Sequence, residues 1–262
     1  MRVEFQPAYV LHTRPYRDTS LLLDLLTPDW GRLSAVAKGV RQSKSQRRPL
    51  LNPFIPLLVS FQGRGNLQTL TGVEAKGPGH RLQGLGLYSG FYLNELLVRL
   101  LGEWDASPAI FGDYQQVLQR LSQLVMESPS AGNNPDTHPD THPNADPPKS
   151  PEPILRLFEW NLLSHLGYGV NFNREAETGA DIQAQSLYRF DPEAGFIGPQ
   201  AADPETLNRT ARASLFRGED LLACDRKDFF EPQTRAAAKR LSRLMLQPLL
   251  GNKPLKSRDL FK

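Results

Sequence analysis

A strongly basic segment without any acidic residue runs from residue 38 to residue 48. Its five basic residues are Lys38, Arg41, Lys44, Arg47 and Arg48. Each Lys or Arg that meets a phosphate displaces condensed counterions, so such a segment can hold a polyanion backbone without reading base sequence. A solvated surface loop is the alternative interpretation. The chemistry indicated by these residue types is phosphate binding.

Motifs for catalysis are absent from the sequence. It contains no GxxxxGK[ST] loop, no HExxH and no GxSxG, and Gly84-Leu85-Gly86 does not complete GxGxxG. A two-metal nuclease site, formed by carboxylates that converge from distant positions, stays open as an alternative. Cys224 is the single cysteine, which excludes an internal disulfide or a multi-cysteine metal site. His138 and His142 each lie near an aspartate, but a proline-broken loop does not preorganise metal ligands. We therefore expect no enzyme, no metal and no cofactor.

The charge is unevenly placed along the chain. Residues 1–80 hold eleven basic and five acidic residues, residues 235–262 hold eight and one, and the rest holds 12 and 22. Cationic ends around an anionic middle indicate a polyanion partner. No apolar run approaches the ~18 residues of a membrane helix, and the first residues lack the core of a signal peptide. We expect a cytoplasmic, nucleoid-associated protein without a membrane partner.

The elements that carry the basic segment read as β-structure. Five short apolar runs occupy 7–13, 20–27, 32–38, 54–61 and 67–74, with turn sequences at 28–31 and 63–66. Five strands in about 75 residues fit a small closed barrel. The OB-fold, whose loops commonly bind oligonucleotides, is favoured for a domain at 1–80, and an SH3-like barrel is the alternative.

From Leu82 the apolar period becomes helical. The predicted helices are one from residue 82 and others at 108–127, 152–165, 204–216 and 233–248. Residues 128–153, with a nearly repeated Pro-Asp-Thr-His motif, are predicted to form a disordered linker or loop. Residues 170–200 are irregular, with a possible hairpin at 187–190 and 195–197. The predicted fold class is α+β: an N-terminal five-stranded OB barrel followed by a mainly α-helical domain at 81–262.

Several segments, in order along the chain, resemble the bacterial recombination mediator family RecO. They are 9–16, 19–21, 31–32, 36–41, 53–57, 87–96, 158–159, 165–169 and 253–258. Only the stretch 128–153 has no counterpart. The resemblance implies an OB domain and a helical domain, binding of single- and double-stranded DNA, and annealing of complementary strands. It also implies help in loading RecA onto single strands coated by the single-strand-binding protein SSB.

The resemblance further implies two protein partners, RecR and the acidic C-terminal tail of SSB, with a functional link to RecA. Many members of the family hold zinc through four cysteines. With Cys224 alone, the chain is similar to the zinc-free members. Two other functions stay open: an adaptor that docks SSB and RecR with secondary DNA binding, and an RNA-binding OB-fold protein.

Candidate site residues fall into four groups. The expected DNA contacts are Arg14, Lys38, Gly39, Arg41, Lys44, Arg47, Arg48 and Arg64. Arg14 can instead pair with Asp18 or Asp24. The candidates for base stacking are Tyr9, Tyr16 and Phe54, with the barrel core as the alternative position for each.

The other two groups concern the C-terminal domain. An SSB tail, acidic and ending in an apolar residue with a carboxylate, needs an apolar pocket with a cation, for which Leu155, Arg156 and Phe158 are the candidates. Arg156 can instead pair with Glu152 or Glu159 on its own helix. A possible second basic patch comprises Arg235, Lys239, Arg243, Lys253, Lys256 and Arg258.

Overall fold

The chain divides into two compact units. This computed structural model describes residues 1–124, 150–199 and 209–261. The first unit comprises Met1–Pro151 together with Leu255–Lys262, and the second comprises Glu152–Pro254. The predicted linker at 128–153 lies almost entirely outside the described residues, as do His138 and His142; of its last residues, Glu152 already begins a helix.

A closed five-stranded barrel forms the start of the first unit. Its strands are β1 (Arg2–Tyr16), β2 (Ser20–Thr27), β3 (Gly31–Ala37), β4 (Leu57–Gln62) and β5 (Leu67–Ala75). They close in the order β1-β2-β3-β5-β4, with β3 and β5 parallel and the other pairs antiparallel. This is the arrangement of an OB-fold, so the predicted fold is confirmed.

Alternation of apolar residues along the strands fills the barrel. Leu23 and Leu25 of β2, Leu33 and Ala35 of β3, and Phe61 of β4 are fully shielded from solvent. Their period of two places them on the inner face, where burial of apolar surface drives closure. β1 is much longer than the other strands and pairs with β4 through its first half and β2 through its second.

In the described part of the first unit, two α-helices lie against the barrel. They are α1 (Gly84–Leu100) and α2 (Pro108–Ser122). Asn94 of α1 donates to the Leu11 carbonyl of β1 at 2.9 Å and accepts from the Tyr114 hydroxyl of α2 at 2.5 Å. A buried, satisfied polar network of this kind fixes the helices on the barrel. The barrel ends near the boundary expected at residue 80, whereas the compact unit continues through both helices.

Within its described residues, the second unit combines four α-helices with a small sheet. Its elements are α3 (Glu152–His165), β6 (Leu187–Asp191), β7 (Gly195–Ile197), α4 (Arg209–Ala213), β8 (Leu215–Arg217), α5 (Gly218–Asp225) and α6 (Pro232–Leu250). The predicted hairpin at 187–197 is present, and β8 pairs with the other side of β6. The expectation of helix as far as Phe216 is wrong, because Phe216 lies in β8 and packs edge-on against Phe190 and Phe196.

Candidate nucleic-acid interface

The basic segment leaves β3 as a loop of consecutive turns. Gly39 has a φ of +73°, a conformation that favours glycine. The Arg41 amide donates to the Thr19 carbonyl at 2.9 Å, and the Ser45 amide donates to the Gln42 carbonyl at 3.1 Å. Val40 is buried in the barrel core. The backbone of this loop is therefore anchored rather than extended into solvent.

All five basic side chains of the loop point outward. Lys38, Arg41, Lys44, Arg47 and Arg48 are exposed. Their charges face solvent, while the apolar residues of the same segment hold the loop in place. Such an arrangement neutralises phosphates without base-specific contacts.

The β1–β2 hairpin lies directly beside this loop. Arg41 Nη1 donates to the Arg17 carbonyl at 3.2 Å. The exposed Arg14 lies on β1, opposite Leu22 of β2, and Leu22 in turn lies opposite Val36 of β3. Asp24, an alternative partner for Arg14, instead lies 3.5 Å from Arg32 Nη1. Hairpin and loop together form one cationic surface, here called the basic end of the barrel.

Sequence reasoning missed Arg17 as a member of this surface. Arg17 is exposed, has a φ of +52° and places its guanidinium carbon 5.3 Å from the centre of the Tyr16 ring. Tyr16 is half-buried, so of the three stacking candidates it is the one that stays accessible. The signal in the sequence was a Tyr-Arg pair in the short turn between two predicted strands, but without the fold nothing placed that turn beside the basic loop.

Two of the proposed stacking residues belong to the interior instead. Tyr9 is 1% exposed and packs edge-on against Tyr114 at 5.2 Å. Burial raises the pKa of Tyr9, although a hydrogen bond from Gln115 opposes the shift. Phe54 is buried against Phe91 at 5.3 Å. Both follow the core alternative, because their rings fill space between the barrel and α1 or α2.

Arg64 is exposed but lies apart from the basic end. It occupies the turn between β4 and β5, and the next residue of β5 to pair, Leu67, lies opposite Ser34 of β3. Because β3 and β5 run parallel, this turn extends toward the start of β3, whereas the basic loop follows the end of β3. The expected DNA contacts therefore lie in two places: most of them at the basic end of the barrel, and Arg64 apart from it.

Two family models and several curated proteins match this chain. Residues 1–78 match the family model described as "Recombination protein O N terminal", and residues 144–259 match "Recombination protein O C terminal". A "DNA repair protein RecO" of Cellvibrio japonicus is 46% identical over all of this chain and 98% of its own length. The chain belongs to the RecO family. Proteins of the same description are 41% identical in Haemophilus influenzae, over 100% of this chain and 97% of that protein, and 40% identical in Escherichia coli O1:K1, over 98% and 93%.

The RecO-like tail motif at 253–258 is docked by a carboxylate of α1. Glu95 accepts hydrogen bonds from the Lys256 amide at 2.9 Å, the Ser257 amide at 2.8 Å and the Ser257 hydroxyl at 2.6 Å. Burial alone would raise the pKa of Glu95, but the bonds from Ser257 and Lys256, with Arg99 nearby, lower it overall. Leu255 and Ser257 are buried, which leaves Lys256 and Arg258 exposed.

The remaining residues of the possible second basic patch belong to the second unit. Arg235 donates to the carbonyls of Phe229, at 2.8 Å, and Phe230. Lys239 pairs with Glu152 of α3. Arg243 and Lys253 are exposed. Two of these four cations are thus engaged in holding the second unit together.

The three residues proposed for an SSB tail line the inside of the second unit of this RecO family member. Leu155 and Phe158 are 5% and 3% exposed, and Arg156 is 8% exposed. Arg156 Nη2 lies 2.8 Å from Glu159 Oε1, whose side chain is fully shielded. This is one of the alternatives the sequence left open. The burial does not agree with the interpretation of Arg156 as an accessible cation at a pocket mouth.

Within residues 1–124, 150–199 and 209–261, no group of three or more His, Cys, Asp or Glu is placed to hold a metal ion. No helix in the same ranges is both long and apolar enough to cross a membrane. The irregular region is stabilised instead by Glu175, which accepts bonds from the Thr178 hydroxyl and the amides of Thr178 and Glu177. These bonds lower the pKa of Glu175 to about 2.

Proposed function

We propose that this RecO family member is a non-enzymatic mediator of recombinational DNA repair. In this proposal it binds single- and double-stranded DNA, anneals complementary strands and, with RecR, helps load RecA onto SSB-coated single strands. It acts in the cytoplasm at the nucleoid, and residues 1–80 form its DNA-binding domain. The curated relatives carry the description "DNA repair protein". The observation that supports DNA binding is the basic end of the barrel, where five exposed cations follow one another on an anchored loop.

Annealing follows from charge neutralisation. Two complementary strands repel each other through their phosphates, and this repulsion is screened over about 10 Å at moderate salt. A protein surface that contacts both backbones lowers the repulsion locally and releases counterions. The exposed Arg17, Arg41 and Arg47 lie in two adjacent loops, which gives two strands room to approach the same surface.

The decisive experiment is strand annealing with fluorescently labelled complementary oligonucleotides, with and without SSB. We expect the parent protein to accelerate annealing in both conditions. Replacing Arg47 and Arg48 with Ala should slow it, whereas Arg226→Ala, which removes an exposed charge of the second unit, serves as the matched control. Equal rates for the parent and the Arg47→Ala/Arg48→Ala protein would contradict the proposed surface.

The same preparation separates the two competing functions. An adaptor would retain SSB and RecR binding after the loop charges are removed and would show little annealing of its own. An RNA-binding protein would release labelled single-stranded DNA when an RNA of the same sequence is added at equal concentration. We expect DNA to compete better than RNA.

Capture of the SSB tail by Leu155, Arg156 and Phe158 is retained as part of the proposal, with one condition. These side chains are buried, so a tail peptide must open the packing over α3 to reach them. Hydrogen exchange of α3 amides with and without the peptide measures that opening. Faster exchange around Leu155 on peptide addition supports the site, and unchanged exchange with peptide bound places the tail elsewhere.

A further inference from the structure

A cavity of about 430 Å³ lies beside the β4–β5 turn, away from the basic end of the barrel. Its walls include Arg64, Asn66, Gln68 and Trp104, with Gly63 at the edge. The volume falls within the range of roughly 300–1,000 Å³ typical of ligand pockets. The walls carry an arginine, two side-chain amides and an indole, but no carboxylate and no imidazole. This chemistry does not suit a cation and suits a planar, polar ligand with an anionic group.

The sequence places Trp104 at this cavity by an unusual backbone path. The Trp104 amide donates to the Arg32 carbonyl at 2.8 Å, so the segment after α1 lies against the start of β3. A Cβ at Gly31 would lie 2.0 Å from the Asp105 carbonyl oxygen, so only glycine allows this approach. Trp104 itself has a φ of +64° and meets Trp30 edge-on at 6.4 Å. Strained conformations of bulky residues concentrate at functional sites.

Two buried polar atoms, in side chains of residues that line the cavity, lack hydrogen-bond partners among the described residues. They are the indole Nε1 of Trp104, a donor, and the amide Oε1 of Gln68, an acceptor. Gln68 is 2% exposed, and its Nε2 donates to the Gly65 carbonyl, which fixes the orientation of the amide. Folded proteins satisfy nearly all buried polar groups. A free donor and a free acceptor, each shielded from solvent within a residue that lines the cavity, therefore point to a ligand that reaches both when the turn opens.

We propose that this cavity binds a single unstacked base of single-stranded DNA, with the adjacent phosphate on Arg64. A nucleobase edge presents acceptors and donors side by side, which matches the indole N–H and the Gln68 oxygen. Solvent does not reach either polar atom, so the base must part the turn from Trp104, and Gly63 and Gly65 give that turn the freedom to move. This site rests on the proposed DNA binding and deepens it.

The test compares two labelled strands of about 12 nucleotides, a length within the site size of an OB-fold. One is oligothymidine and the other has the same backbone with abasic sites. We expect the parent to prefer the base-bearing strand at least tenfold, because each of the two hydrogen bonds contributes a factor of about five. Trp104→Phe keeps a ring but removes the N–H, and Gln68→Met keeps the length but removes the acceptor. Each should reduce the preference about fivefold, the factor for one hydrogen bond.

The control is Arg47→Ala in the basic loop, which should lower the affinity for both strands by the same factor. Melting curves verify folding, and if Trp104→Phe does not fold, Gln68→Met and Asn66→Ala answer the same question. A parent-like preference in the folded variants overturns the pocket. Equal binding of both strands by the parent also overturns it but leaves DNA binding intact. Failure of the parent to bind either strand overturns both this inference and the proposed function.

Discussion

The ion pair between Arg156 and Glu159 makes a sharp prediction about stability. The two side chains are 10% and 0% exposed, and their charged atoms are 2.8 Å apart. Removing one partner of a buried pair leaves the other charge in a medium of low polarity, at a cost of about 3–5 kcal/mol. An exposed pair on a helix would contribute only ~0.5 kcal/mol. The depth of the pair therefore changes the expected effect by almost an order of magnitude.

Arg156→Met is the appropriate perturbation, because it keeps much of the side-chain volume and removes the charge. At about 2–4 °C per kcal/mol for a protein of this size, the melting temperature should fall by about 10 °C. The matched control is Lys239→Ala, which removes the Lys239 pair with Glu152. Those side chains are 44% and 38% exposed, so the free energy of unfolding should fall by no more than ~1 kcal/mol.

Thermal unfolding followed by circular dichroism measures both variants under the same conditions. Replacing both residues of the buried pair, with Arg156→Met and Glu159→Leu, should recover part of the lost stability because neither charge of the pair then remains buried. Equal, small shifts for Arg156→Met and Lys239→Ala would refute the reasoning. Any loss of SSB-peptide binding in an Arg156 variant must be interpreted together with its melting curve.

Three further predictions follow from charges described above. Replacing Arg47 and Arg48 with Ala should lower the salt slope of single-strand binding by about 1.4, at ~0.7 per phosphate contact; an unchanged slope in fluorescence titrations would show that neither side chain touches phosphate. Glu95→Gln should free residues 256–261, detected as faster amide exchange confined to that segment, and unchanged protection would contradict the clamp. Because the folded pKa of Glu175 is lowered to about 2 from 4.5, its contribution is present above pH 4.5 and lost as pH falls toward 2. Glu175→Gln should therefore flatten the acid-unfolding profile of the second unit, and an identical profile would exclude that contribution.

The fold of the first unit was predictable because its signals are local. Alternating apolar residues mark the strands, and turn residues separate them, so five strands could be counted from the sequence. β8 was not predictable in this way. Leu215 pairs with Arg189, which is too far away in the sequence for a local pattern to indicate the pairing. A strand of three residues is also too short to show an alternation of apolar and polar residues.

The candidate site divides along the same line. The exposure of Lys44 and Arg47 could be inferred from an acid-free run without apolar periodicity. The burial of Tyr9 could not, because it depends on Tyr114, more than a hundred residues later. The pairing of Arg156 with Glu159 was open to sequence reasoning through the helix period, but its depth was not. That depth depends on tertiary packing around α3, which includes a hydrogen bond from Trp160 to the Ser242 hydroxyl of α6 at 3.0 Å.

The docking of the tail on Glu95 has a consequence for synthesis of the chain. Residues 255–261 complete the first unit, yet they leave the ribosome after the whole of the second unit. At about 5–20 residues per second, roughly 100 intervening residues take about 5–20 s to translate. During that interval the nascent barrel and its helices lack their last segment, and the Glu95 carboxylate lacks the three hydrogen bonds that this segment donates to it. A ribosome that stalls within α6 would hold a first unit that cannot finish folding.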